Sequence, residues 1–280
     1  MASGKGGTGK TTIAVNLALH LSKSHHVALF DLDVEEPNCN HFLHCELIQY
    51  QEVNIPRPII DEFICSHCGL CADLCEFNAL AVLFNQVMVF EELCHGCGLC
   101  TMACPEEAIK EKSHQLGVIR RSEGSKNNLV FYEGKLNVGE ALATPIIREL
   151  KKIAFNEKSE FIILDLPPGS DCPVIEGLSK TDFTILVTEP TPAGEHDLRI
   201  AINLVKQLEI SFGIVNNRSD VGDDRINHLV KEKAYELLLE IPHDKEILQL
   251  YSNGLPLIGT IARFDTVYSN LWFRIQEVIH

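Results

Sequence analysis

Eight of the eleven cysteines fall into two runs with one spacing. Cys65, Cys68, Cys71 and Cys75 form the first run, and Cys94, Cys97, Cys100 and Cys104 the second. Both read C-x2-C-x2-C-x3-C, and each position of the second follows its counterpart by 29 residues. The flanks repeat as well: Cys65-Ser-His-Cys-Gly-Leu-Cys stands against Cys94-His-Gly-Cys-Gly-Leu-Cys. The chain goes straight into a glycine-rich loop without a secretory leader. It therefore reads as cytoplasmic, where a reducing environment favours metal ligation over disulfides.

Thiolates are soft ligands that suit iron–sulfur clusters or zinc. Zinc sites usually pair two C-x2-C units across a spacer. Runs of four, the second closing on Cys104-Pro105, match a bacterial-type ferredoxin with two [4Fe–4S] clusters. In that arrangement the fourth cysteine of each run serves the other cluster. One cluster then takes Cys65, Cys68, Cys71 and Cys104, and the other Cys94, Cys97, Cys100 and Cys75. Glu76 stands where the first run lacks the proline. Cys39, Cys45 and Cys172 have no motif and are expected to be buried structural thiols. His67 and His95 sit inside the cysteine loops, with side chains expected to point outward.

The chain opens with a second signature, Gly4-Lys5-Gly6-Gly7-Thr8-Gly9-Lys10-Thr11-Thr12. The pattern G-x4-G-K-T cradles phosphates with backbone N–H groups. Lys10 brings a charge to the β- and γ-phosphates, and Thr11 a hydroxyl to Mg²⁺. Asp165 ends the apolar run Phe161–Leu166 and is the natural acid of the Mg²⁺ shell. Asp31 and Asp33 end an earlier run, and Asp33 is expected to orient the metal shell or the attacking water. Only Met1-Ala2-Ser3 precede the loop, so either the start is truncated or another segment fills the strand slot that should support it.

The remaining pattern alternates. Apolar runs at His26–Asp33, Phe161–Leu166, Phe183–Thr188, Phe212–Asn216 and Tyr235–Ile241 read as buried parallel strands. Helical periodicity covers Thr11–Lys23, Gly139–Ile153, Glu195–Leu208 and Asp224–Lys233. A last helix over Asp265–His280 has Val267, Leu271, Ile275 and Ile279 on one face and is expected to dock. This predicts an α/β fold: a doubly wound, mostly parallel P-loop NTPase sheet with a small inserted α+β ferredoxin domain. The discontinuous ATPase domain takes residues 1–56 and 113–280, and the insert 57–112. Pro56 and Pro58 mark the start of the insert, and polar Ser113–Lys126 reads as an exit linker.

The second lysine of the loop, Lys5, gives Lys-Gly-Gly-Thr-Gly-Lys-Thr. This resembles the deviant Walker A family of MinD, ParA and the nitrogenase iron protein. With the insert, the chain resembles MinD-superfamily ATPases that contain a ferredoxin domain. The resemblance implies an ATP/ADP- and Mg²⁺-dependent ATPase with Lys5, Lys10, Asp33 and Asp165 in catalysis. Lys5 would reach across a nucleotide-sandwich dimer, either a homodimer or a pair with a related ATPase. Asp31-Leu-Asp33 corresponds to switch I and Asp165-Leu-Pro-Pro-Gly169 to switch II. Thr188-Glu-Pro-Thr-Pro192 resembles the loop after the next strand. Ile214-Val-Asn-Asn217 and Ile241-Pro-His-Asp244 put Asn216 and Pro242 beside the base. The family's cluster-assembly scaffolds carry a C-x-x-C pair near the C-terminus, and none follows Cys104.

A formal charge of −15 argues against nonspecific binding to nucleic acid or anionic membrane. No apolar stretch is long enough to span a bilayer. The leading expectation is an ATPase that couples its dimer switch to electron transfer through the two clusters, toward a redox partner. The alternatives are an ATPase that assists iron–sulfur or metal cofactor assembly on a client protein, and a MinD-like positioning protein.

Overall fold

The computed structural model of the chain describes residues 1–123 and 128–279. Its helices are α1 (Lys10–Leu21), α2 (Asn40–Leu43), α3 (Leu70–Asp73), α4 (Leu99–Ala103), α5 (Thr144–Asn156), α6 (Cys172–Leu178), α7 (Pro192–Gln207), α8 (Arg225–Lys233), α9 (Lys245–Ser252) and α10 (Arg263–Ile279). Its strands are β1 (Val27–Asp31), β2 (Leu47–Ile60), β3 (Leu80–Leu83), β4 (Gln86–Val89), β5 (Ile109–Ser122), β6 (Leu129–Leu136), β7 (Phe161–Asp165), β8 (Phe183–Thr188), β9 (Ser211–Asn217) and β10 (Leu237–Ile241).

Every residue of β1 is buried, because helices cover both faces of the sheet around it. The two-residue period of a strand divides its side chains between two cores. Ala28 and Phe30 join Ile146, Ile147 and Leu150 of α5 and Leu198 and Ile202 of α7. Val27 and Leu29 join Ile13 and Leu17 of α1 and Tyr268 and Leu271 of α10. Each fully buried Val, Leu, Ile or Phe among them contributes about 1.5–3 kcal/mol.

One sheet segment runs β2-β5-β6-β1-β7 and the other β10-β9-β8. The strands β6, β1 and β7 are mutually parallel, as are β8, β9 and β10, whereas β2, β5 and β6 pair antiparallel. The residues before the phosphate loop join the two segments. Met1 accepts from Leu166 N–H at 3.1 Å and its terminal amine donates to the Leu164 carbonyl at 2.7 Å. On the other side Ala2 N–H donates to Ile185 at 2.9 Å and Val187 N–H donates to Ala2 at 2.9 Å. Met1–Ser3 thus occupy the strand slot themselves, at its loop end. Below Met1 the strands β7 and β8 line a largely apolar cleft of about 470 Å³.

Several expectations are corrected. Ser113–Ser122 is not a linker but the greater part of β5; 124–126 of the expected linker lie outside the described residues. Pro56 and Pro58 do not break the chain but lie inside β2, which is an edge strand and needs no N–H from them. The boundaries at 57 and 112 consequently fall within a continuous antiparallel ribbon, where Arg57 opposes Lys112. The helix expected from Gly139 starts at Thr144, because Pro145 takes its first turn. In α10 the docked face is Phe264, Tyr268, Leu271 and Ile275, whereas Ile279 is 45% exposed. Residue 280 lies outside the described residues.

Candidate functional site

The phosphate loop gathers at the carboxyl ends of β1, β7 and β9. Gly9 has φ 98°, a backbone conformation that strains any side chain, and a Cβ there would also meet the Asn217 side-chain Nδ2 at 2.5 Å, so the loop calls for glycine here. Lys10 opens α1 and is 7% exposed. Burial pulls its ammonium below the ordinary lysine range, against the charges of Asp165, Asp33 and Asp31. Thr11 Oγ1 donates to Asp165 Oδ2 at 2.6 Å. Asp165 Oδ1 and Thr8 Oγ1 are both buried without a partner among the described residues. A buried carboxylate oxygen left open beside a threonine hydroxyl fits the shell of a hard divalent cation. Thr11 and Asp165 therefore stand together, and Asp33 joins them as a nearby charge on Lys10.

Three acids are crowded here, and burial raises all of them. Asp165 titrates above the usual carboxylate range, opposed by the Thr11 hydrogen bond and by Lys10. Asp31 is pushed well above it by burial and by Asp165, although its oxygens accept from the N–H groups of Asp33, Asn38 and Cys39. Asp33, two residues beyond the strand end, is raised to about 6 by burial, against a backbone bond from Glu36 and the charge of Lys10.

Lys5 projects away from Lys10. Its Nζ lies 2.5 Å from Glu189 Oε1, and Arg218 Nη1 lies 2.9 Å from Glu189 Oε2. Asn216 is 1% exposed and gives Nδ2 to Glu240 Oε1 at 3.3 Å, while its Oδ1 has no partner among the described residues. Its neighbour Asn217 is the one that touches the loop, giving Nδ2 to the Thr8 carbonyl at 2.8 Å. Pro242 is exposed beyond the end of β10. Sequence reading missed Asn217, Arg218 and the role of Glu189. Asn217 and Glu189 meet their loop partners 209 and 184 positions away, and Arg218 meets Glu189 29 positions away; only the Thr188-Glu189-Pro190 turn could have drawn attention to the region.

Of the cysteines without a motif, Cys39 is fully buried, with Sγ 3.6 Å from Asp165 Oδ2. Cys45 is half-buried, and Cys172 is exposed at the start of α6, so neither is the buried thiol expected.

The eight motif cysteines lie at the far end of the β2–β5 ribbon. Cys94, Cys97, Cys100 and Cys75 line one pocket. Cys65, Cys68, Cys71 and Cys104 line a second. Backbone N–H groups bond to the two crossing sulfurs, Ala79 to Cys75 Sγ and Ala108 to Cys104 Sγ, each at 3.3 Å. Four thiols per pocket with N–H···S support is a donor set that fits a [4Fe–4S] cluster. His95 is exposed, as expected, whereas His67 is only partly so, and both have partners. His95 stacks on Phe77 at 3.7 Å between centroids, and His67 Nε2 lies 3.0 Å from Glu62 Oε2.

No helix among the described residues is long and apolar enough to cross a membrane. Residues 1–257 match the CobQ/CobB/MinD/ParA nucleotide binding domain. An uncharacterised protein of Methanocaldococcus jannaschii is 33% identical over 255 residues, covering 91% of this chain and 88% of that one. An iron-sulfur cluster carrier protein of Pyrococcus abyssi is 24% identical over 295 residues, covering 98% of this chain and 82% of the relative. The fold is also that of the septum site-determining protein MinD of Pyrococcus horikoshii complexed with Mg-ADP, with a TM-score of 0.62, 18% identity, and 99% and 94% of the two chains covered. With the phosphate loop, Thr11 and Asp165 assembled on that fold, the chain is a P-loop ATPase and belongs to the CobQ/CobB/MinD/ParA nucleotide-binding family.

Proposed function

We propose that the chain couples a nucleotide-driven dimer switch to one-electron transfer through two [4Fe–4S] clusters. One cluster would be held by Cys65, Cys68, Cys71 and Cys104, the other by Cys94, Cys97, Cys100 and Cys75. The observation that carries this reading is the crossed pooling of thiols. Each pocket takes three cysteines from one run and the last from the other. Such crossing interlocks both pockets within one chain, which favours retention over release. The clusters supply one-electron redox chemistry when bound.

The chain's own residues supply the switch. Lys10 and the loop N–H groups bind the β- and γ-phosphates, and Thr11 and Asp165 hold Mg²⁺. Asp33 orients the attacking water, and Asn216, Asn217 and Pro242 border the base. Lys5 leaves Glu189 to reach the phosphates of a second copy or of a related ATPase. The segments after Asp33 and Asp165 then change position with nucleotide state.

A second reading is cluster assembly on a client protein. It is favoured by the relatives named iron-sulfur cluster carrier proteins. In it the clusters are cargo and the ATPase cycle drives their delivery.

An EPR-monitored redox titration of anaerobic protein, with iron and zinc quantified, separates the two. A potential that moves by about 59 mV between MgADP and a non-hydrolysable MgATP analogue, a tenfold change in equilibrium for one electron, supports electron transfer. Unchanged potentials, with labelled iron lost to an apo-acceptor during turnover, support delivery instead. Protein that holds zinc and no iron after anaerobic reconstitution rejects both.

A further inference from the structure

The two cysteine pockets differ in their distance from the sheet. The pocket of Cys75, Cys94, Cys97 and Cys100 is also lined by Pro56 and Pro58 of β2 and Glu111 of β5. A Cβ on Gly96 would come 2.9 Å from the Pro56 carbonyl, so this loop lies directly on the ribbon. The other pocket borders Ile60 and Ile109, at the ribbon's outer end, and the β3–β4 hairpin at Val87. The first is the inner pocket.

Beside the inner pocket stands a chain of charges. The Arg57 side chain is 5% exposed and gives Nη1 to Glu91 at 3.0 Å and Nη2 to Glu140 Oε2 at 2.7 Å. Glu91 precedes Cys94 by three positions and also binds Lys112 at 3.0 Å. The other Glu140 oxygen, Oε1, lies 2.7 Å from His114 Nε2. One carboxylate thus holds both strands of the ribbon.

Glu140 sits in the turn from β6 to α5, and both ends of that turn reach the nucleotide switches. At one end Leu136 N–H donates to the Val34 carbonyl at 2.8 Å. At the other, Ala143 lines a cleft of about 340 Å³ together with Asp33, Val34, Glu36, Pro167 and Pro168. The same turn therefore bonds to the segment after Asp33, shares a cleft with the segment after Asp165, and pairs with the ribbon that carries Cys94.

We propose that Glu140 is the positioning residue that transmits nucleotide state to the inner pocket. When the segments around Val34 and Pro168 shift, the 136–143 turn shifts with them. Arg57 follows Glu140, because its buried Nη2 would otherwise lose its acceptor, Glu91 being engaged at Nη1. Glu91 and the Cys94 loop follow Arg57. The outer pocket has no such link among the described contacts. The proposal rests on the reading of the chain as a nucleotide-switched cluster protein.

The test is amide hydrogen exchange on the anaerobic full chain, loaded with iron, under MgADP and under a non-hydrolysable MgATP analogue. Peptides spanning residues 91–98 are compared with peptides spanning 65–71. In the parent, exchange at 91–98 is expected to change about fivefold between nucleotides, within the usual range of coupling between sites, with little change at 65–71. Glu140→Gln is expected to reduce that change to less than about twofold while nucleotide affinity stays within about twofold of the parent. The milder His114→Gln, which leaves the Arg57–Glu140 pair intact, should retain a partial response and serves if Glu140→Gln fails to take up iron. A full response at 91–98 in both variants overturns the role of Glu140 and leaves the coupling itself standing. No response anywhere in 65–104 of the parent overturns the coupling and the role of Glu140 together.

Discussion

Lys5 and Lys10 stand on one loop in opposite circumstances. Lys10 is buried against three carboxylates that it partly neutralises, whereas Lys5 spends its charge on Glu189. Glu189 has a second cation in Arg218, and these partners hold it below its usual range against the opposing effect of its own burial. Losing Lys5 would therefore leave it paired. A half-exposed ion pair is worth at most about 1 kcal/mol, so this hold is weak enough to release and strong enough to bias Lys5. Glu189→Gln should raise the dimer fraction at a fixed concentration of non-hydrolysable analogue by up to about fivefold, read by sedimentation velocity. Asp33 invites a pH argument. Its carboxyl is raised to about 6, so the folded chain holds that proton where the unfolded chain has lost it. The group's contribution to stability then falls as pH rises from about 4 to about 6, and stays lower above that. With solvent screening allowed for, nucleotide-free Asp33→Asn should exceed the parent by about 1–2 kcal/mol at pH 7.5, with the gap closing toward pH 4. Urea midpoints at the two pH values check it.

At the scale of elements, the helix that follows the phosphate loop is tied by one side chain to the turn between α9 and α10. Asn16, 1% exposed, accepts from Leu257 N–H at 2.7 Å and Ile258 N–H at 2.9 Å, and donates to the Thr12 carbonyl at 2.7 Å. Asn16→Ala would orphan two buried N–H groups and should cost about 2–4 kcal/mol, measured as a fall in denaturant midpoint at unchanged slope. That contact could not be read in advance, because an asparagine amid an apolar helical face carries no sign of its partner. The strands β1, β7 and β8 were legible, since a continuous apolar run survives without any knowledge of neighbours. The ribbon was not. In β5 the stretch Lys110–Ser113 is exposed and polar, and in β2 the prolines suggest a break. A two-stranded ribbon with solvent on both sides needs no apolar alternation, so its strands look like linkers. The phosphate loop with Thr11 and Asp165 was legible for a different reason: its chemistry lies in local spacing and in a strand's last residue. Asn217 was eclipsed by Asn216 because which of two adjacent side chains faces the loop depends on the strand's pleat.

At the scale of the whole molecule, the sheet carries the phosphate loop, and the ribbon that extends from it carries eight thiols at its far end. The crossing of Cys75 and Cys104 gives this layout a sharp consequence. If each fourth cysteine served its own run, Cys75→Ser would injure the pocket of Cys65, Cys68 and Cys71. With the sulfurs pooled as observed, Cys75 belongs with Cys94, Cys97 and Cys100. Cys75→Ser should therefore strip the inner pocket, and Cys104→Ser the outer one. Each variant should retain about half of the parent's iron and the EPR signal of a single cluster. The two retained signals should differ, because His95 stacks on Phe77 beside the inner pocket while His67 pairs with Glu62 beside the outer. Nucleotide should act on them unequally. A cluster left in the inner pocket, beside Arg57, stays within reach of the switches, so Cys104→Ser should keep a nucleotide-dependent potential. Cys75→Ser should lose it while still binding ATP. An identical nucleotide response in the two variants would mean that the ribbon moves as one rigid lever, and that the inner pocket holds no privileged place in the coupling.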